Sequence, residues 1–154
     1  MKQIKFILAC IALMTSGCLT VPEPLSPRTI QKTYDVPGLS QKQIYDKSLE
    51  WMAKTFVSSK EVIDLKDSDN GKIIGHGVTT FTQSVSGPIN CRYTIIIDVK
   101  KEKVRLTFQS FTGFFLEGEF PLSNMNQFNQ IEHNLIVLSE NLATTLKKPA
   151  ENNW

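Results

Sequence analysis

The chain has 154 residues, of which 41% are hydrophobic and 21% are charged, and its formal net charge is +2. This length suits one domain with a single core and is too short for two domains of ordinary size. Nucleic-acid binding needs a concentrated positive face, and a net charge this small does not indicate one. The composition therefore predicts no nucleic-acid partner.

The beginning of the chain has the pattern of an export signal. Lys2 and Lys5 precede an apolar run over residues 6–14. Such a run is far shorter than the ~20 residues that a helix needs to cross a bilayer, and the arrangement is typical of a signal peptide. The run is followed by the sequence TSGC at residues 15–18, which resembles the bacterial lipobox.

The lipobox resemblance implies that lipid is attached to the sulfur of Cys18 and that residues 1–17 are removed. Two or more acyl chains hold a protein stably on a membrane. Thr15 departs from the usual Leu of the lipobox, and the alternative is an ordinary secretory signal cut near Gly17. The lipid anchor implies a cell-envelope location. Because Leu19 rather than Asp, which resembles an inner-membrane retention signal, follows the cysteine, we expect the outer membrane if the host is Gram-negative.

Removal of the signal would leave a formally neutral chain with one free thiol. It takes away two lysines and no acidic residue, so 15 basic and 15 acidic residues remain. Cys10 leaves with the signal and Cys18 carries the lipid, so Cys91 has no partner for a disulfide. Because Cys91 begins a predicted strand, we interpret it as a small buried apolar residue; the alternative is a reactive thiol.

The remainder divides into three predicted segments. Residues 18–28 comprise the lipidated cysteine and a tether whose three prolines favour extended backbone. Ten extended residues reach roughly 30 Å. Residues 29–147 form a single α+β domain, and residues 148–154 form a polar tail.

The domain begins with a predicted strand over residues 29–36, which ends at the turn pair Pro37-Gly38. A helix follows, because Ser40 and Gln43 form a capping box. Its apolar side chains recur at helical spacing. These side chains are Tyr45, Leu49, Met52 and Phe56.

Four more strands are predicted over residues 61–66, 72–83, 91–100 and 103–111. The pair Asn70-Gly71 favours a hairpin between the first two of them, and residues 84–90 are a polar connection. A long helix begins after Ser123 or Asn124 and has an apolar stripe at helical spacing. The stripe contains Phe128, Ile131, Leu135, Leu138, Leu142 and Leu146.

This order predicts an α+β fold, with an antiparallel sheet of about five strands, in the order β-α-β-β-β-β-α, and two helices on one face. Three segments carry a family resemblance: VPGLSQKQIYDKSLEWMAKTF at residues 36–56, EVI at 61–63 and NGKIIGHG at 70–77. They resemble DUF4468, a bacterial family of unknown function with a TBP-like fold. The resemblance implies the fold alone, since the family brings no assigned activity and a fold does not license DNA binding.

No catalytic constellation is recognised, so the sequence predicts no enzyme, no cofactor and no metal site. His76 and His133 lack the closely spaced ligand repeats of metal sites. The acidic residues at 67 and 69 are interpreted as a hairpin turn rather than a calcium loop. Glu117 and Glu119 are interpreted as a solvated loop edge rather than an acid and base pair.

A loop rich in Gly and Phe over residues 111–120 is the most unusual stretch. Exposed there, Phe114, Phe115 and Phe120 would form a contact site for a partner or ligand, because contiguous exposed apolar surface is uncommon on a monomer. The alternative is that these rings pack beneath the last helix and close one end of the core.

The sequence therefore predicts a membrane-anchored lipoprotein of the cell envelope with a non-catalytic binding or structural domain. In this hypothesis the membrane partner is engaged through lipid on Cys18, and an envelope protein is contacted through Phe114, Phe115 and the edge of the sheet. The alternative hypothesis is a carrier that holds a small apolar ligand or lipid between the sheet and the helices.

Overall fold

A computed structural model describes residues 28–56, 63–83, 87–115 and 118–148. The predicted signal peptide, Cys18, nearly all of the tether and all but the first residue of the polar tail lie outside the described residues. The elements, in chain order, are β1 Ile30–Asp35, α1 Gln41–Thr55, β2 Ile63–Asp67, β3 Lys72–Gln83, β4 Gly87–Lys100, β5 Lys103–Phe115, β6 Gly118–Pro121 and α2 Met125–Lys147.

The strands form one antiparallel sheet in the order β1-β5-β4-β3-β2, and the short strand β6 also pairs with β5. The predicted α+β class is confirmed, but the described sheet has six strands rather than about five. The additional strand is β6, which pairs with the part of β5 beyond the end of β1.

Both helices pack on one face of the sheet and enclose the core. Alternate residues of the two central strands point toward the helices, as their period-two pattern predicts. The core side chains of these strands are Cys91, Tyr93, Ile95, Ile97, Val99, Val104, Leu106 and Phe108. The helices contribute Ile44, Tyr45, Trp51, Met52, Phe128, Ile131, Leu135, Leu142 and Leu146.

The helix starts follow from local side-chain hydrogen bonds. Ser40 and Gln43 form the predicted capping box at the start of α1. Asn124, rather than Ser123, caps α2, because its side chain accepts a hydrogen bond from the backbone of Gln127. No helix of the described residues is both long and apolar enough to cross a membrane.

The end of β5 differs from the prediction. The segment over residues 111–120 is not a loop, because β5 continues to Phe115 and turns back into β6. A bulge separates the two parts of β5, where the register shifts opposite residues 92–94 and Ser110 has a positive φ of 58°. The extra residue changes which side chains of β5 point toward the core after the bulge. A strict two-residue pattern in the sequence does not predict this change.

The connection before β4 is also shorter than predicted. Strand β4 begins at Gly87 rather than at Cys91, and its first residues pair with the end of β3. Ile89 faces the core there. Residues 87–90 therefore belong to a strand, with Ile89 facing the core and Asn90 exposed, rather than to a connection.

Candidate contact surface at the end of the sheet

The β5–β6 hairpin places the three predicted contact residues in different environments. Gly113 lies opposite Phe120 and Phe114 lies opposite Glu119 in the β5–β6 pair. Phe114 and Phe120 are half-buried, whereas Phe115 is 48% exposed. The three phenylalanines are therefore close together in the sequence but differ in their exposure and contacts.

Phe120 packs against the core. Its ring covers Gly113, where an added Cβ would lie 2.5 Å from a ring atom. A residue with any side chain at position 113 would therefore displace the ring. Phe120 closes this end of the core, whereas the alternative interpretation of the Phe-rich stretch expected the same packing for Phe114 and Phe115.

Phe114 lies in a small polar cluster. The Arg92 guanidinium lies 5.2 Å from the centroid of the Phe114 ring. Arg92 Nη1 also donates a hydrogen bond of 2.7 Å to Glu119 Oε1. Both charged side chains are about half exposed, so this pair contributes modestly to stability. The cluster orders the hairpin, since it joins β4 to β6 across β5.

Phe115 is exposed at the end of the molecule where the chain enters the domain. Arg28 lies 4.9 Å from the centroid of the Phe128 ring, and Phe128 makes an edge contact with Phe111. Met125, the first residue of α2, is 44% exposed. We call this part of the molecule the aromatic end, formed by Arg28, Phe111, Phe114, Phe115, Phe120, Met125 and Phe128.

The opposite end of the sheet is rich in charge. Asp35 pairs with Lys103 at 3.4 Å, and Glu102 accepts a hydrogen bond of 3.1 Å from the backbone of Gly38. Lys47 donates to the backbone oxygen of Lys148 at 2.8 Å, just after α2. We call this part the charged end, formed by Asp35, Lys47, Lys100, Lys101, Glu102, Lys103, Lys147 and Lys148.

A shallow groove of about 510 Å³ lies at the charged end, between the end of β1 and the two helices. Its wall includes Val36, Leu39, Gln43 and Lys47. It is open to solvent and lies beside the packed core rather than between the sheet and the helices. This location differs from that of the internal cavity that the carrier hypothesis requires.

Ion pairs cross the sheet face that is turned away from the helices. Asp98 accepts hydrogen bonds from Arg105 at 2.9 and 3.3 Å and lies 3.4 Å from Lys72 Nζ. Burial acts to raise the pKa of Asp98, but the hydrogen bonds and positive charge of Arg105 and Lys72 outweigh it and hold the pKa below its usual value. Positive charge on this face is therefore partly neutralised within the sheet.

His76 lies on the same face, between an acidic side chain and a hydroxyl. Its Nε2 is 2.8 Å from Asp64 Oδ2, and its Nδ1 is 3.4 Å from Thr94 Oγ1. This order of groups is also found in hydrolytic triads, but the backbone around His76 and Thr94 is paired in the β3–β4 ladder. These contacts link the three adjoining strands β2, β3 and β4.

The remaining candidate groups are held in structural contacts. Asp67 accepts hydrogen bonds of 3.0 and 2.8 Å from Asn70 within the predicted hairpin turn. Gly77, next to His76, lies against Tyr93, which leaves no room for a side chain. Within the described ranges, no three His, Cys, Asp or Glu side chains are grouped so that they could hold a metal ion. Glu117 lies outside these ranges.

Cys91 is buried in β4, and burial raises the pKa of its thiol to about 11. A thiol with so high a pKa is almost entirely protonated at neutral pH and is therefore a poor nucleophile. His133 is exposed on α2.

Comparison with known proteins identifies the family. The model of a domain of unknown function with a TBP-like fold, DUF4468, matches residues 31–113, which is more than half of the chain. The chain belongs to the DUF4468 family. The family resemblance seen in the first third of the domain is thereby confirmed and extends to residue 113, within β5.

Two solved structures show the same fold as this DUF4468 chain. A DUF4468 family protein from Bacteroides ovatus has a TM-score of 0.60 and 18% identity, over 86% of this chain and 93% of that one. A TBP-like protein from Parabacteroides distasonis has a TM-score of 0.66 and 9% identity, over 82% of this chain and 97% of that one. No curated protein matches the chain. The predicted TBP-like fold is confirmed.

Sequence reasoning missed Arg28, Arg92 and Met125 in this DUF4468 chain. Arg92 gave no signal because its partners, Phe114 and Glu119, lie on other strands. Arg28 ends the Pro-rich segment, and its contact with a ring of α2 depends on the tertiary fold. The sequence signal for Met125 is an apolar residue at the first position of an amphipathic helix.

Proposed function

We propose that this DUF4468 chain is a membrane-anchored lipoprotein of the cell envelope, with a domain that binds or supports other envelope components without catalysis. Residues 1–17 are the signal, residues 18–28 the lipidated cysteine and tether, residues 29–147 the domain and residues 148–154 the tail. The lipobox-like sequence ending at Cys18 is the observation that carries this proposal. The outer membrane is its location if the host is Gram-negative.

The position of the aromatic end supports the proposal. Arg28, the first described residue, lies beside Phe128 at this end, so the segment from Cys18 attaches there. Phe115 is exposed at the same end of the sheet. Arg28, through which the proposed anchor joins the domain, and the exposed Phe115 side chain are thus at one end of the domain, where an envelope component held near the membrane can contact Phe115.

A non-catalytic role is supported by the contacts of the polar side chains. His76, Asp98 and Arg92 each make cross-strand contacts that stabilise the sheet. Cys91 is buried with a raised pKa. The proposal includes no cofactor, no metal and no nucleic-acid partner, in keeping with the neutral balance of the chain after residue 17.

A carrier of a small apolar ligand stays the alternative prediction from the sequence. The described interior is filled by large side chains, including the Tyr93 and Phe108 rings in edge contact 5.7 Å apart. Native mass spectrometry of the delipidated protein tests the alternative directly. An apolar molecule retained in the native spectrum, and lost on unfolding, would support the carrier and weigh against a purely binding or structural role.

Growth of the host with radiolabelled palmitate tests the anchor. We expect wild-type protein to be labelled and to sediment with membranes, and the Cys18→Ala variant to lose both properties. Cys91→Ala is the matched control, because it removes a cysteine that the proposal does not lipidate. Equal labelling of wild type and Cys18→Ala would refute the anchor at this residue.

A further inference from the structure

We infer that the aromatic end docks against the lipid surface of the membrane that carries the Cys18 anchor. This inference rests on the proposed function, because it requires the acylated cysteine. It adds that the domain has a defined side toward the bilayer and that Phe115 and Met125 enter the interfacial region. A protein partner at the same end is an outcome that the test below distinguishes.

The point of attachment sets which end of the domain stays near the lipid. Arg28 is ten positions after Cys18, and a fully extended chain of this length spans at most about 35 Å. Arg28 lies at the aromatic end. The charged end lies near the far end of α2, a helix of 23 residues and about 35 Å in length. The chain therefore leaves the domain at the aromatic end, about one helix length from the charged end.

The side chains at the two ends differ as expected for a domain oriented on a bilayer. Phe115 and Met125 are large apolar side chains that are 48% and 44% exposed. Phe114 and Arg92 lie beside this surface as an aromatic ring and a guanidinium in contact. Phenylalanine is among the apolar side chains that interfacial membrane-bound segments bury at the boundary between headgroups and acyl chains, whereas the charge of Arg92 is paired with Glu119.

The charged end lacks such apolar exposure in its described contacts. Lys103 and Asp35 form an ion pair, and Lys47 bonds to the end of α2. Burial of these charges in a bilayer would be costly, so this end is expected to remain in water. The arrangement places solvated charge away from the attachment point and exposed apolar side chains next to it.

Covalent anchoring explains how a small apolar surface is sufficient. Two partly exposed side chains bind a bilayer weakly when the domain is free in solution. An anchor within about 35 Å raises their local concentration at the membrane, so a weak contact is populated without a second strong site. A standard protein interface, by contrast, buries about 800 Å² on each partner.

Site-specific fluorescence on the acylated, full mature protein tests the inference. The protein is purified from membranes and reconstituted in vesicles of phosphatidylethanolamine and phosphatidylglycerol. A polarity-sensitive dye is attached at Phe115→Cys, with Met125→Cys as a second reporter. Val137→Cys, 53% exposed near the middle of α2, is the control. Cys91 is buried and Cys18 carries lipid, so labelling is selective.

We expect the dyes at positions 115 and 125 to shift to the blue, to be quenched by spin-labelled lipid and to resist a water-soluble quencher. The dye at position 137 should remain accessible to the water-soluble quencher. Equal accessibility at all three positions on acylated, vesicle-bound protein would overturn docking and leave the anchor intact. Shielding that occurs in native membranes but not in lipid vesicles would overturn it in favour of a protein partner.

Failure of the underlying proposal gives a different result. A protein that carries no acyl group and does not float with the vesicles refutes the anchor, and docking falls with it. Mass measurement of the same preparation identifies this case before any fluorescence is recorded. The Phe115→Ser and Met125→Ser double variant of the acylated protein should still float and should keep its circular dichroism spectrum, since both side chains are partly exposed.

Discussion

Two fully buried serines show how the contacts of single residues determine stability. Ser139 Oγ donates to the backbone oxygen of Ile136 at 2.7 Å and shares a 2.7 Å hydrogen bond with Tyr34. Ser48 Oγ, equally buried on α1, has no hydrogen-bond partner within the described part of the chain. A buried polar atom without a hydrogen-bond partner lowers the stability of the folded state, whereas a buried hydrogen bond contributes to that stability.

The two serines therefore respond differently to alanine. We expect Ser48→Ala to leave the free energy of unfolding unchanged or to raise it by up to about 1 kcal/mol, because an unsatisfied hydroxyl is removed. Ser139→Ala should lower it by roughly 1–2 kcal/mol, because Tyr34 loses its partner. Urea denaturation followed by circular dichroism measures both. A larger loss for Ser48→Ala than for Ser139→Ala would contradict this assignment.

Cys91 gives a prediction about alkaline pH. Burial raises the pKa of its thiol from 9 to about 11, so the folded state disfavours the thiolate that the unfolded chain forms. The resulting stability is complete below pH 9 and is lost as the pH rises toward 11. The free energy of unfolding of Cys91→Ala should fall less steeply over this range than that of the wild type. Parallel pH profiles would show that the thiol is not the cause.

At the residue scale, the sequence correctly predicted the buried environment of Cys91 because it begins an alternating strand pattern. It could not separate Phe115 from Phe120. Both residues belong to the same Gly- and Phe-rich stretch, and the difference in their exposure depends on the pairing of β6 with β5. Pairing between strands is a tertiary property that a local pattern does not contain.

At the scale of elements, the capping box and helical spacing predicted α1 and the long amphipathic stripe predicted α2. The strand alternation predicted most of β3, β4 and β5. It missed β6 and the end of β5, because the bulge at Ser110 interrupts the two-residue period. A positive φ at serine gives no compositional signal, since glycine is the residue expected at such positions.

The hairpin depends on close packing at Gly113. We expect Gly113→Ala to lower the free energy of unfolding by about 1–3 kcal/mol, because the new methyl group would overlap the Phe120 ring. Gly118→Ala is the matched control in the same hairpin. Open space surrounds Gly118, so its effect should be within roughly 0.5 kcal/mol. Equal stability of the two variants would contradict the packing of Phe120.

At the scale of the whole molecule, several positive side chains of the outer sheet face are paired with carboxylates. Lys72 and Arg105 share Asp98, and Arg92 pairs with Glu119. A nucleic-acid interface needs a concentrated positive surface. The TBP-like fold of this DUF4468 chain is thus combined with a different surface, which is consistent with our proposal of a role without nucleic acid.

The central charge network predicts behaviour in acid. Asp98 has a lowered pKa, so its contribution to stability is present above its usual value of 3.8 and is lost as the pH falls through the folded value. Asp98→Asn should lower the free energy of unfolding at pH 7 by roughly 1–2 kcal/mol and flatten the acid limb of the stability profile. An unchanged acid limb, measured by urea denaturation from pH 7 to pH 3, would contradict this role.

In our proposal, the anchor on Cys18 determines how the whole molecule is placed, because the described chain enters the domain at the aromatic end. Intact-mass spectrometry of the protein purified from host membranes tests it most directly. We predict a chain that begins at Cys18 and carries the added mass of a diacylglyceryl group, with or without a further acyl chain. A full-length chain recovered from the cytosol, with residues 1–17 still attached and no lipid, would contradict the account.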